Sequence, residues 1–166
     1  MVGWGGYFEW GLGKDTETYC YTNHAGQVKS ISQKYENYFY PAIFNNFAAR
    51  MDWAAQGKGN RNPVVIVNGK KGLEIIYVKA KAGETVWLDA SRSFDLENDE
   101  LSFRWWNLAE AGSCRENVEI RQPHSSKTSL VVPEKASKTT IHIVCEVSDN
   151  GTPALTAYRR VVIDVR

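Results

Sequence analysis

Residues 83–106, from Gly83 to Trp106, read GETVWLDASRSFDLENDELSFRWW. Val86, Leu88 and Ala90 share one parity while Trp87 and Asp89 take the other, the period of two expected of a half-buried strand. Past Ser91 the alternation stops. Asp95, Asn98 and Asp99 follow, residues whose side chains bond nearby backbone and so favour turns. Leu101, Phe103 and Trp105 then restore the alternation against Ser102, Arg104 and Trp106. The unit is a strand, an acidic loop and a second strand.

The flanking sequence extends this pattern. Upstream, Pro63 to Asn68 is apolar and β-branched, Asn68-Gly69 marks a turn, and Leu73 to Ala80 forms another strand candidate. Downstream, Asn117–Gln122, Ser129–Val132, Thr139–Ser148 and Leu155–Val165 complete about eight strands. Turn residues separate them, among them Asp149, Asn150 and Gly151 before Pro153. Short strands at this rhythm with no helix between them predict an antiparallel β-sandwich. Residues 62–166, about 105 positions, have the size of an immunoglobulin-like domain. The Cys–Trp–Cys pattern of antibody domains is missing, so the likeness is architectural.

The first part of the chain differs in kind. Residues 1 to about 30 are rich in Gly, Trp and Tyr without a sustained period, which suggests irregular backbone packed against other structure. From Ser32 the pattern turns helical, with Pro41 expected in a first turn, where its missing N–H costs little. Phe44, Phe47, Ala48 and Met51, with Ile43 beside them, are spaced as one apolar face. Gly57 and Gly59 end the helix. A domain boundary falls near residue 61, so a mainly β chain is expected: a partly helical segment over 1–61 and the sandwich over 62–166.

Composition narrows the function. Lys plus Arg number 20 and Asp plus Glu 19, which gives no signature for nucleic acid or an anionic membrane. No apolar run approaches the ~20 residues of a membrane-spanning helix. The opening MVGWGGYFEWG lacks the basic and apolar regions of a signal peptide, so a secreted parent would carry its signal elsewhere or have lost it. Three cysteines are too few for a disulfide scaffold. Cys145 is in phase with Ile141, Ile143 and Val147 and reads as a buried thiol; a Cys114–Cys145 bridge is the alternative.

Aromatic content is the more distinctive signal, with six Trp, eight Tyr and six Phe. Trp87 should point away from the face that Val86 and Leu88 bury, and one of the adjacent pair Trp105 and Trp106 should do the same. An outward ring can stack on a pyranose while Asp, Asn or Arg groups bond its hydroxyls; packing at a domain interface is the competing expectation. Trp87 and Trp106 are therefore candidate carbohydrate-binding residues. Trp4, Tyr7 and Trp10 share the ambiguity between sugar platform and core. Asp95 and Asp99 are candidate calcium ligands, although their spacing is not that of an EF-hand and a solvated loop accounts for them more simply. His24, His124 and His142 are scattered, and nucleophile-elbow, zinc and Cys-x-x-Cys motifs are absent. No catalytic residue is assigned; Asp15, Glu17 and His24 would need a cleft completed upstream.

Two sets of residues carry a resemblance. Leu88-Asp89-Ala90-Ser91, Ser93, Asp95, Asp99, Leu101, Phe103 and Trp105 resemble the strand-loop-strand of PKD-like and cadherin-like modules. WGGYFEW at Trp4 to Trp10, FAARMDW at Phe47 to Trp53, NPVVIVNG at Asn62 to Gly69 and SDNGTPALTAYRRVVIDV at Ser148 to Val165 together resemble the C-terminal part of bacterial nucleoside-hydrolase-like, cellulose-binding proteins of the Sde182 type. Tyr38 to Asn46, YFYPAIFNN, departs from the family's helix start. The resemblance implies an upstream nucleoside-hydrolase-like domain, of which residues 1–61 would be the tail. It also implies a secreted, cell-surface or periplasmic bacterial setting and a polysaccharide partner, cellulose above all. The expected role is a non-catalytic accessory region. A C-terminal part of a ribosyl or glycosyl hydrolase, or a purely structural spacer, are the alternatives.

Overall fold

The computed structural model describes residues 2–3, 6–12, 19–22 and 26–166. Two compact units divide within the long helix, at Met1–Phe47 and Ala48–Arg166. In the first, β1 (Val2–Gly3) pairs antiparallel with β2 (Gly6–Tyr7), and β3 (Glu9–Leu12) with β4 (Tyr19–Thr22). Backbone expected to be irregular thus forms two short strand pairs. Gly6 has φ +101°, and a side chain there would collide with Ser32 and Glu36. Close approach is what lets the Tyr7 N–H donate to Ser32 Oγ at 3.2 Å, while that hydroxyl donates to Glu36 Oε1 at 2.6 Å.

The helix α1 (Gly26–Gln56) starts earlier than Ser32 and carries Pro41 in its interior rather than its first turn. Pro41 and Asn37 are both exposed, so the Asn37 carbonyl that loses its i+4 donor can meet water. The buried stripe is Ser32, Tyr35, Phe39, Asn46 and Ala49, with Ala42 and Trp53 half-buried. It repeats at steps of three and four, as one helix face requires. The face expected from Phe44, Phe47, Ala48 and Met51 is not the covered one: Phe44 is 58% and Phe47 59% exposed. Small and polar residues disguise the true stripe, whose polar members are satisfied locally; Asn46 Nδ2 donates to the Ala42 carbonyl at 3.3 Å. Gly57, at φ +69°, ends the helix as expected, its N–H donating to the Trp53 carbonyl at 2.9 Å.

The second unit is the sandwich. A hairpin opens it, β5 (Ile66–Val67) and β6 (Lys70–Lys71), joined by Asn68 and Gly69 at φ 49° and 75°. Two successive positive φ values are the demand of a type I′ turn, which Asn-Gly meets. There follow β7 (Ile76–Ala80), β8 (Thr85–Asp89), β9 (Ser102–Asn107), a 3-10 turn at Ala109–Ala111, β10 (Ile120–Arg121), β11 (Lys127–Val131), β12 (Thr140–Ser148) and β13 (Thr156–Val165). One sheet runs β10-β11-β8, the other β7-β13-β12-β9. The immunoglobulin-like sandwich is as expected, with one departure from strict antiparallel order: β7 pairs parallel with β13, Ile76 opposite Val161.

Alternation fills the core. Val86, Leu88 and Leu130 from one sheet face Ile141, Ile143, Cys145, Val147, Val161 and Ile163 from the other, all buried. Trp105 is 2% exposed, and its indole N–H donates to the Ser125 carbonyl at 2.8 Å, giving the ring's polar edge the partner that burial demands. Cys114 and Cys145 are both buried and free. Burial pushes the Cys145 thiol well up, so it behaves as a small apolar side chain.

Carboxylates hold the ends of the strands. Asp149, 5% exposed, accepts on Oδ1 from Asn60 Nδ2 at 2.9 Å, the Gly151 N–H at 3.0 Å and the Leu155 N–H at 2.9 Å. One oxygen thus ties the segment before β5 to the loop between β12 and β13. At the end of β8, Asp89 Oδ1 accepts from the Ser91 hydroxyl at 2.6 Å and the Ser91 N–H at 2.8 Å, and Asp89 Oδ2 pairs with Lys127 Nζ at 3.1 Å. The Ser91 hydroxyl first, then its N–H, hold the Asp89 carboxyl down to about 2.

Asp149→Ala removes the acceptor of the Gly151 and Leu155 N–H groups and one of the two acceptors of Asn60 Nδ2, which keeps the Pro153 carbonyl at 2.9 Å. It is expected to lower unfolding free energy by about 3 kcal/mol, measured by urea denaturation, and a loss under 1 kcal/mol would contradict the clamp. Asp89 predicts a pH dependence. Its folded pKa lies below the unfolded value of ~3.9, so its contribution is full above about pH 4 and lost as pH falls towards 2. The stability gap between wild type and Asp89→Asn, followed by denaturation at successive pH values, should close over that window and stay constant from pH 5 to 8.

Candidate functional site

Burying Val86 and Leu88 leaves Trp87 on the outer face of the three-stranded sheet, where it is 71% exposed. The register sets Trp87 opposite Ser129 on β11, and Ser129 opposite Arg121 on β10. A row of three residues therefore crosses the sheet, with small Ser129 between two long side chains. On one side of this row lies the Asp89–Lys127 pair, on the other Thr85 opposite Val131. The face combines a broad exposed ring with fixed charges and hydroxyls.

Backbone bonds hold the ring in place. β8 is an edge strand, and the turn residue Asn68 covers its open side. Asn68 Oδ1 accepts from the Asp89 N–H at 2.8 Å, its Nδ2 donates to the Trp87 carbonyl at 3.4 Å, and its own N–H donates to the Asp89 carbonyl at 2.8 Å. Such cover blocks pairing of the edge with another chain and fixes the backbone that carries Trp87. Asn68 is a positioning residue that Asn-Gly announces in the sequence only as a turn.

Beside the row lies a cleft of about 240 Å³ lined by Asn117, Glu119, Arg121, Val131 and Pro133. These are alternate positions of two neighbouring strand regions, all sharing the outward parity of Trp87. The strand candidate Asn117–Gln122 already showed that alternation, with Val118 and Ile120 turned to the core. Its outward members mark one wall of this cleft; the other wall, Val131 and Pro133, is brought to it by the pairing of β10 with β11.

The other aromatic candidates are placed elsewhere. Trp106, half-buried, lies on the outer face of the four-stranded sheet, opposite Val144, and its indole N–H donates to Glu146 Oε2 at 3.2 Å. It is not brought together with Trp87. Tyr7 is buried and its hydroxyl donates to Glu9 Oε1 at 2.6 Å, while Trp10 is 61% exposed. Trp4, Asp15, Glu17 and His24 lie outside the described residues.

Asp95 and Asp99 do come together, in a cleft of about 410 Å³ that Ser93, Asn98, Leu101 and Phe103 also line. Asp95 is 6% exposed; its Oδ1 accepts the Glu97 N–H at 2.7 Å and the Asp99 N–H at 3.2 Å, and its Oδ2 has no hydrogen-bond partner among the described residues. Asn98 takes φ +67° inside this clamp. Among the described residues no three carboxylate, imidazole or thiol groups converge to hold a metal ion. Asp95 Oδ1 is thus taken by backbone N–H groups, and Asp95 and Asp99 are the two carboxylates that line the cleft.

Comparison with known proteins follows the same lines. Residues 85–165 match the family model of the cellulose-binding protein Sde0182, C-terminal domain. No curated protein matches. Among solved structures, a nucleoside hydrolase-related hypothetical protein from Saccharophagus degradans, associated with carbohydrate metabolism, is similar at 36% identity and a TM-score of 0.84. The similarity covers 100% of this chain and 42% of that one, so the chain spans less than half of that relative's length. The PKD domain from the KIAA 1837 protein is similar at 18% identity and a TM-score of 0.41, over 57% of this chain and 81% of that one. The motifs and the family match agree: residues 85–165 match the C-terminal domain of the cellulose-binding protein Sde0182, and the chain as a whole is similar to part of the Saccharophagus protein.

Proposed function

We propose that the chain is a non-catalytic carbohydrate-binding region that holds its parent protein on cellulose or a related plant polysaccharide. Trp87 carries the reading. The ring is 71% exposed and its backbone is fixed in a hydrogen-bonded sheet, so binding has only the side-chain torsions left to order. Its face can stack on the apolar side of a pyranose, and Asp89 and Lys127 stand within the same face to meet hydroxyls. Trp106 has less ring to offer and its N–H is committed to Glu146.

The family description supports a carbohydrate partner and, with it, an extracellular or cell-surface setting in a bacterium. Among the described residues no helix is long and apolar enough to cross a membrane. A second reading, as the accessory end of a hydrolase, rests on the chain's similarity to 42% of a nucleoside hydrolase-related protein. On that reading residues 1–61 close an upstream domain that supplies the catalytic groups. The two readings are compatible.

Retention on insoluble cellulose tests the proposal. Wild-type protein should pellet with the polymer, Trp87→Ala should lose about tenfold in affinity, and Tyr77→Ala, exposed on the opposite sheet, should pellet as wild type does. Wild type left in the supernatant would overturn the proposal.

A further inference from the structure

We infer that the cleft beside Trp87 is a second sugar subsite, and that a linear, neutral polysaccharide crosses the strands from the Trp87 ring into it. The inference rests on the carbohydrate reading above and adds where the chain runs and what selects it. Trp87, Ser129 and Arg121 form one row across β8, β11 and β10. Two strand spacings separate its ends, roughly 10 Å, a distance that about two pyranose rings of an extended glycan would span. Ser129 in between is small and itself only 3% exposed. The polymer therefore passes over Ser129 on its way from the ring to the cleft, and its contacts are made at the two ends of the row.

The cleft's composition defines its ligand. Val131 and Pro133 give it an apolar side, while Asn117, Glu119 and Arg121 project polar groups from β10 and the residues before it. Glu119 accepts, Arg121 donates and Asn117 does both, which suits hydroxyls that are donors and acceptors at once. The planar guanidinium fork of Arg121 matches two adjacent oxygens. Glu119 beside it cancels the positive charge, so the cleft does not favour a uronic acid. A neutral sugar with neighbouring equatorial hydroxyls fits best. β10 is a two-residue edge strand, so the cleft opens at the rim of the sheet and lets the polymer continue past it.

Titration calorimetry on the full chain, with cellobiose, cellohexaose and an oligogalacturonate of equal length, separates the possibilities. Cellobiose centred on the Trp87 ring extends about 5 Å to either side and stops short of the cleft, about 10 Å away; cellohexaose reaches both places. Arg121→Ala and the isosteric Glu119→Gln should each weaken cellohexaose about tenfold and leave cellobiose unchanged, with circular dichroism confirming the fold. If Trp87→Ala abolishes cellohexaose binding while both cleft variants bind it as wild type does, the subsite is wrong and the platform stands. Tighter binding of the oligogalacturonate, lost in Arg121→Ala, would overturn the neutral-ligand assignment. Wild type that binds none of the three would remove the carbohydrate reading and this inference with it.

Discussion

A pleated strand divides its side chains between two faces, and burial of one face dictates the other. Here the inner face of β8 is Val86 and Leu88, continued by Ala90, packed against the opposing sheet. Slipping the register by one residue would drive Trp87 and Asp89 into that core and expose the three apolar side chains, an exchange the sandwich cannot make. The same rule aligns β11 and β10, so Ser129, Arg121, Val131 and Glu119 share the outward side with Trp87. The proposed binding face is thus a by-product of core packing, and its backbone register is fixed by the core.

Polar groups do the remaining work at the sheet's margins. Asp149 gathers Asn60, Gly151 and Leu155 on one oxygen, Asp95 gathers the backbone of its own loop, and Asn68 covers the open edge of β8. Each replaces water with a fixed acceptor for backbone N–H groups that a loop or an edge would leave unpaired. The acidic loop, chemically the most conspicuous stretch of the sequence, is held in shape by its own carboxylate. The proposed binding site lies instead on a face chosen by apolar alternation.

Much of this was legible in the residues. Strand after strand follows the period of two, and Trp87 turned outward as its parity required. Gly57 ended the helix for a reason visible in its identity. The helix itself misled: its large aromatics at Phe44 and Phe47 are exposed, whereas Ser32, Asn46 and Ala49 are buried, because local hydrogen bonds let polar side chains pack inside. Arg159 is a similar case. The alternation Val161, Ile163, Val165 assigns it to the inner face, where it is buried with Nε and Nη1 lacking a hydrogen-bond partner among the described residues, a placement against its charge that composition alone would reject. The cleft at Arg121 needed the pairing of β10 with β11, a long-range fact that no local pattern contains.

The central claim is that one outward ring and its cross-strand row form the sugar-binding face. It is met most directly by titrating cellohexaose into uniformly 15N-labelled protein and following the indole and backbone N–H resonances. The account predicts that the Trp87 indole and the amides of Ser129 and Arg121 shift together, while the Trp105 and Trp106 indoles stay still. Shifts centred on Trp106 or on the Asp95 loop, with Trp87 unmoved, would contradict it.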